Sequence, residues 1–300
     1  MNDTAPRCSA DTEASIASGP LVSVVIPARQ AAATLGLTLA SLERQSYRFI
    51  EVFVVDNGST DVTLEIARAH SCKVIAADLD ERSAQVNEVL PLASGKYFYR
   101  VDADFVLSAT LVEEAVRMCE AHNLDAVLVH NASDPNASRW AGVRKFERDM
   151  YRGDDLNVAA RFVRTDLLRQ IGGYDERLIA AEDYDVHRRL VKAGARIGRV
   201  EAVEMHVGEP RTLGEVWQKH AYYGRTLAPY VRKHGWFAIR QLSPLRPAFA
   251  RNWRAFLDSP RTALVFGVYQ GVKYTAGLFG LLSGLAQRPA RGASKTEEQR

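Results

Sequence analysis

Residues 97–104 read Tyr-Phe-Tyr-Arg-Val-Asp-Ala-Asp. An aromatic, β-branched run that ends in two carboxylates one residue apart is a buried strand whose last residues leave the core, because neither aspartate enters the core without a partner. Oxygen donors of this kind suit Mg²⁺ or Mn²⁺, ions that keep water and share coordination positions with a substrate's phosphates. Acidic turns are common, so the pair gains meaning only from its surroundings.

On the N-terminal side, Leu21–Pro27 and Ile50–Asp56 are two short apolar runs, the first ended by proline and the second by Asn57-Gly58-Ser59. Both read as buried strands. Helical spacing falls between them over Thr34–Gln45, and again over Asp61–His70, with Asp61 placed to cap that helix. Lys73–Ala76 reads as a strand, Ala84–Ala93 as a helix, Tyr97–Val101 as a strand, Ala109–His122 as a helix and Ala126–His130 as a strand. Such alternation predicts right-handed βαβ units and a mostly parallel sheet, with ligands beyond the carboxyl ends of its strands. Asp56, Asp102 and Asp104 stand at those ends. No Gly-x-x-x-x-Gly-Lys-Ser/Thr is present and no Gly-x-Gly-x-x-Gly follows the first strand, which disfavours P-loop and dinucleotide enzymes.

Beyond residue 160, Arg164–Ile171 reads as a helix ended by Gly172-Gly173. Ala181-Glu182-Asp183-Tyr184-Asp185 leads into a helix over Val186–Ala193, a strand follows near Ala195–Val200, and His206 closes an apolar segment. Acidic residues suit a helix N-terminus for dipole reasons alone. Residues 134–155 show no clear period and read as loops that wall the substrate pocket.

The 300 residues are 47% hydrophobic and 25% charged, a globular composition, and the odd count of three cysteines with no Cys-x-x-Cys excludes a disulfide scaffold or zinc ribbon. The first twenty residues lack a continuous apolar stretch, so the reading expects no secretory signal and takes the four Asn-x-Ser/Thr triplets as turn chemistry. Charge is uneven. Residues 1–210 hold 24 Lys/Arg against 32 Asp/Glu, whereas residues 211–254 hold nine against Glu215 alone.

Taken in order, VSVVIPA, VVDNGSTD, SAQVNEVLPLASGKYFYRVDAD, IGGYDERL and EDYDVHRRLVKAGARI resemble family 2 of the nucleotide-sugar glycosyltransferases, which have the GT-A fold, over roughly residues 21–210. The resemblance implies an α/β fold with a Rossmann-like, mostly parallel sheet flanked by helices. It sets Pro27, Asp56, Asn57, Arg82 and Asp102 against the nucleotide. Asp104, with Asp102 and His206, would hold Mg²⁺ or Mn²⁺ on the diphosphate. Asp183 would be the general base, with Glu182 and Tyr184 on the acceptor side. Ala28-Arg29-Gln30 stand where the family has an aromatic residue and asparagine. The implied reaction moves a sugar from a nucleoside-diphosphate sugar to a hydroxyl, and direct attack opposite the leaving group inverts the anomeric carbon.

The remaining chain differs. Thr212-Leu213-Gly214-Glu215 is a capping box, and prolines at 229, 244, 247 and 260 cut the C-terminal stretch into short pieces rich in Trp, Phe and Arg. That mixture suits a headgroup layer, and no helix-turn-helix, RNP or zinc-finger pattern points to nucleic acid. Ala263–Ala286 is long enough for a bilayer span, but Lys273 near its middle and the basic residues beyond it favour a helix that lies in the membrane plane or re-enters it. A homodimer through the C-terminal helices is the soluble alternative. The Gln-x-x-Arg-Trp element of processive synthases is absent, and Gln218-Lys219-His220-Ala221-Tyr222 does not match it. The expectation is a flexible leader (1–20), a catalytic domain (21–210) and a helical, membrane-associating region (211–300) with its apolar helix at about 261–286. The enzyme would make single additions to a lipid-linked or membrane-proximal glycan, on the cytoplasmic face of the cell membrane. A sugar-phosphate nucleotidyltransferase is the rival enzyme and an inactive nucleotide-binding module the non-enzymatic rival.

Overall fold

The computed structural model describes residues 19–79 and 81–286. Of the expected leader only Gly19 and Pro20 fall within them, and the basic tail from residue 287 lies outside. The described chain forms two compact units: residues up to Glu176 with Glu182–Glu209, and Arg177–Ala181 with residues from Pro210 on.

The first unit is built on eight strands: β1 (Val22–Ala28), β2 (Ile50–Asn57), β3 (Lys73–Ala77), β4 (Tyr97–Arg100), β5 (Phe105–Leu107), β6 (Ala126–Ser133), β7 (Phe162–Arg164) and β8 (Ile197–His206). They form one sheet in the order β3-β2-β1-β4-β7-β6-β8-β5. All seven residues of β1 are buried, as a strand covered on both faces requires. On one face Val24, Ile26 and Tyr99 pack with helices α1 (Leu35–Glu43) and α4 (Leu111–His122). On the other, Val25, Phe53 and Phe98 meet α3 (Arg82–Val89), α6 (Thr165–Gln170) and α7 (Glu182–Lys192). Helix α2 (Thr63–Arg68) joins β2 to β3, and α5 (Arg139–Asp149) follows β6.

The sheet is mostly parallel as expected, with one correction: three of its pairings are not. Four pairings are parallel, but β7 runs antiparallel to both β4 and β6, and β5 runs antiparallel to β8. The sheet is therefore mixed. Strands β5 and β7 have three residues each, too few for a period to register in sequence. A second correction concerns residues 134–155, which are not all loop. Ser138 caps α5 there, its hydroxyl accepting from the Ala141 N–H (3.0 Å). Asp61 also differs from its expected role: Val62 precedes α2, while Asp61 accepts from the Thr63 N–H (3.0 Å) in a local turn.

In the second unit the chain forms α8 (Leu213–Thr226), α9 (Ala228–His234), α10 (Trp236–Leu242), α11 (Pro247–Arg251), α12 (Trp253–Asp258) and α13 (Pro260–Ala286). Thr212 caps α8 as expected, its Oγ1 accepting from the Glu215 N–H (3.2 Å), while Glu215 reaches one residue further back than a capping box does and accepts from the Arg211 N–H (2.8 Å). Glycines let α8 and α13 touch backbone to backbone. A Cβ added at Gly280 would lie 2.1 Å from the Ala221 carbonyl oxygen, and one at Gly224 equally close to that of Gly277. Among the described residues no helix is long and apolar enough to cross a membrane.

Candidate active site

Strand register gathers the site. Ala28 of β1 pairs with Asp56 of β2, and Val25 pairs with Arg100, the last residue of β4. Asp56 and the Asp102–Asp104 turn leave the sheet at one end, on either side of β1. Pro27 is buried in β1 beside Val55. Gln85 of α3 braces this end, donating to the carbonyls of Val55 (2.7 Å) and Ala28 (3.1 Å).

Asp56 is almost fully buried. Its Oδ2 accepts from the Ser59 N–H (3.1 Å), while the buried Oδ1 has no hydrogen-bond partner. A buried acceptor left this way costs about 1–3 kcal/mol, which a donor from a ligand would offset. Asn57 is occupied with structure, its Oδ1 accepting from the Leu79 N–H (3.0 Å). Gln30, at φ +51°, accounts for the departure from the family pattern after β1. Its side chain accepts from the Thr60 N–H (2.7 Å) and its own N–H donates to Ser59 Oγ (2.9 Å), so it ties the loop after β1 to the loop after β2.

At the end of β4 the charges interlock. Arg100 is completely buried and pairs with three carboxylates: Asp102 (2.6 Å), Glu182 (3.5 Å) and Asp183, to which its Nη1 donates. Arg161 reaches the other oxygen of Asp102 (3.1 Å) and pairs with buried Glu204, which also accepts from the Tyr99 hydroxyl (2.8 Å). Arg82 opens α3, donates to Glu182 (3.1 Å) and lies 4.0 Å from Asp102. Burial alone would raise the Asp102 carboxyl, but Arg100, Arg82 and Arg161 outweigh it and hold it far below the usual carboxylate range. Glu182 goes the other way: burial, and then the Asp183 charge, push its carboxyl up despite both arginines.

Asp104 has a different neighbour. Its Oδ2 lies 3.1 Å from His206 Nε2, and a Cβ at Gly208 would come within 2.5 Å of that same oxygen. His206 ends β8 beside Phe105 of β5, packs edge-on against that ring and turns Nδ1 toward Glu209 (3.3 Å). Glu209 is itself buried, accepts from Ser133 Oγ (2.6 Å) and pairs with Arg148 (3.1 Å) of α5. Burial would raise its carboxyl, yet His206, Arg144 and Arg148 hold it well below the ordinary range.

The donors at Asp104 and His206 fit a divalent ion. One carboxylate oxygen and one imidazole nitrogen converge beside a glycine whose missing Cβ leaves room, and a carboxylate backs the far ring nitrogen, the usual support for a metal-binding histidine. Asp102 does not fit in this arrangement, because each of its oxygens faces a guanidinium. Among the described residues no group of three or more His, Cys, Asp or Glu side chains is arranged around one ion.

Of the sequence-predicted residues, the fold brings Arg82, Asp102, Glu182 and Asp183 into one ion-pair network and Asp104 and His206 into another. Asp56 and Asn57 stand at the same sheet end, and Tyr184 is half-buried in the first turn of α7. Sequence reasoning missed Arg100, Arg161, Glu204 and Glu209. Arg100 carries a signal in hindsight, a lone charge inside an aromatic strand. Arg161 meets Asp102, Glu204 meets Tyr99 and Glu209 meets Ser133 across 59 or more positions, from segments whose placement sequence does not give.

Comparison with known proteins gives the family and the fold. The sequence model described as Glycosyl transferase family 2 matches residues 23–170. EpsE of Bacillus subtilis is 33% identical over 193 residues, which cover 60% of this chain and 69% of EpsE. The chain belongs to glycosyl transferase family 2. A PGL/p-HBAD biosynthesis glycosyltransferase of Mycobacterium bovis is similar at 29% identity over 198 residues, 63% of this chain and 75% of that one. Among solved structures, the mannosyltransferase PcManGT from Pyrobaculum calidifontis, in complex with GDP-Man and Mn²⁺, superposes with a TM-score of 0.61 at 16% identity, covering 90% of this chain and 88% of its own. At that identity the likeness is one of fold, and it agrees with the α/β, GT-A-like architecture of the family 2 unit.

Proposed function

We propose that this family 2 glycosyltransferase is a metal-assisted, inverting enzyme that moves a sugar from a nucleoside-diphosphate sugar to a hydroxyl on a lipid-linked or membrane-proximal glycan. One observation carries the reading: Asp183 is held by a guanidinium that also holds Asp102, so a candidate base is fixed beside the turn that bears Asp104, whose carboxylate meets His206 of β8. Asp56, with its unpartnered Oδ1, Asn57 and Pro27 line the nucleotide side. Half-exposed Arg82 reaches the donor's phosphates. Asp104 and His206 hold Mg²⁺ or Mn²⁺, which when bound neutralises charge on the departing diphosphate. Asp102 acts on that site through the arginines it orients.

Asp183 takes the proton from the acceptor hydroxyl as its oxygen attacks the anomeric carbon. The bond from that carbon to the diphosphate oxygen breaks on the opposite face and its electron pair leaves with the nucleoside diphosphate. Glu182 and Tyr184 flank the acceptor. That the PcManGT complex contains GDP-Man and Mn²⁺ supports a nucleotide-sugar donor and a divalent ion here. The acceptor assignment, a functional boundary near residue 210, and a place on the cytoplasmic face of the membrane rest on the composition of the second unit. Turnover of Asp183→Asn is the test. A loss of roughly 10²–10⁴-fold in a variant that still unfolds cooperatively supports the base, and near-normal turnover removes it. Proton NMR of the product gives the anomer, which is inverted relative to the donor.

A further inference from the structure

The second unit leaves apolar surface uncovered in a regular pattern. Of the seventeen large apolar side chains that are exposed among the described residues, thirteen lie between Trp217 and Leu285. Trp236 (77% exposed), Leu245 (87%) and Leu264 (74%) lead them. Along α13 the exposed positions Leu264, Val268, Gly271, Thr275, Leu278, Leu282 and Leu285 follow steps of four and three, a single stripe about 32 Å long. Thr275 is the one polar side chain in it, and its hydroxyl returns to the Gly271 carbonyl (2.7 Å). Ser283 does the same with Phe279 (2.7 Å). Hydroxyls satisfied within their own helix are what a hydrocarbon environment demands.

Two occupants suit such a stripe, a second helix or a bilayer. A two-helix seam is bordered by charged side chains that set its pairing. Here the bordering residues Val265, Gly267, Val272, Phe279 and Leu281 are uncharged, and Lys273, two positions from both Gly271 and Thr275, points off the stripe. A helix apolar on all sides belongs in a core or in lipid, and the inner side of α13 is already closed against α8 through Gly280 and Gly224. Charge decides the kind of lipid. Residues 210–286 carry eleven Lys/Arg against Glu215 and Asp258, a net +9. Exposed Trp253, over which Arg254 stacks (5.7 Å to the ring centroid), combines an aromatic and a cation as headgroup layers favour.

We infer that the Leu264–Leu285 stripe of α13 docks in the plane of an anionic bilayer, its apolar side chains among the acyl chains and the unit's lysines and arginines on the headgroups. The inference rests on the membrane-proximal acceptor proposed above for its role in transfer, while the docking itself is measured without turnover. Full-length protein is floated with phosphatidylcholine vesicles and with vesicles that also contain phosphatidylserine. The expected result is about tenfold more protein with the anionic vesicles, reduced by high salt. The triple variant Leu264→Glu/Leu278→Glu/Leu282→Glu stays with the soluble fraction and melts as the wild type does. Leu264→Trp, which needs no charge in the helix, shifts its emission to the blue only with anionic vesicles. Wild type that ignores both vesicle types, or a triple variant that floats as well as wild type, overturns the inference. So does a wild-type dimer in light scattering that the triple variant splits, since a second copy then covers the stripe. Donor hydrolysis by the triple variant separates the two readings: its absence alongside intact wild-type flotation removes the transferase chemistry and leaves the docking.

Discussion

The two units have opposite surfaces. The sheet unit buries charge: Arg100, Glu204 and Glu209 are all inside, interlocked with partly exposed Asp102, Asp183 and Asp104. The helical unit exposes apolar side chains and carries an excess of lysine and arginine. Both arrangements run against what an isolated globular chain favours, since buried ions lose hydration and exposed leucines keep ordered water. The proposed reason lies outside the chain in each case: a nucleotide-sugar donor with its divalent ion at the strand ends of the first unit, and an anionic lipid surface on the second.

The largest effect that would break this contrast is at Arg100. Arg100→Met leaves three carboxylates facing a neutral side chain and costs about 3–5 kcal/mol in chemical denaturation at neutral pH. The sign of its pH dependence comes from Asp102. The arginines lower the folded-state affinity of that carboxyl for protons, so its contribution is full above the unfolded value near 3.9 and is lost as pH falls through the folded one. The wild type loses this contribution on acidification and the variant has less of it to lose, so the gap narrows in acid. A gap that is constant with pH would mean Arg100 acts by packing alone.

A smaller effect sharpens the other side. Gly280→Ala drives a methyl against the Ala221 carbonyl and lowers stability by about 1–3 kcal/mol. Gly267→Ala meets nothing within 4 Å on the same helix and raises it by about 0.5–1 kcal/mol. Equal effects at the two glycines in thermal melts would mean that α8 and α13 do not touch as described.

Much of the sheet unit is readable in sequence, for identifiable reasons. VSVVIPA, IEVFVVD and YFYRV are buried on both faces, so unbroken apolar runs mark them, and proline or Asn-Gly punctuates their ends. The acids beyond those ends, Asp56, Asp102 and Asp104, are legible for the same reason. What escaped has equally physical causes. Strands of three residues carry no period, and α5 hides its apolar side under Arg144, Lys145 and Arg148, whose charges are neutralised by Glu147, Asp149 and Glu209 in the fold. The resemblance to family 2 favours Asp104 over Asp102 as the direct metal donor, but the residues alone give no reason for it. Two positions apart, they look equivalent, and the long-range arrival of Arg161 and His206 gives one to guanidinium groups and the other to an imidazole.

Calorimetric titration of the full-length protein with a panel of nucleoside-diphosphate sugars, with Mn²⁺ and with chelator, puts the most weight on the strand-end site. Wild type should bind one donor with Mn²⁺ and lose that binding when the metal is chelated, and Asp104→Ala should fail to bind even with the metal present. Binding of the same strength in chelator, or in Asp104→Ala, would contradict a donor held through the Asp104–His206 pair.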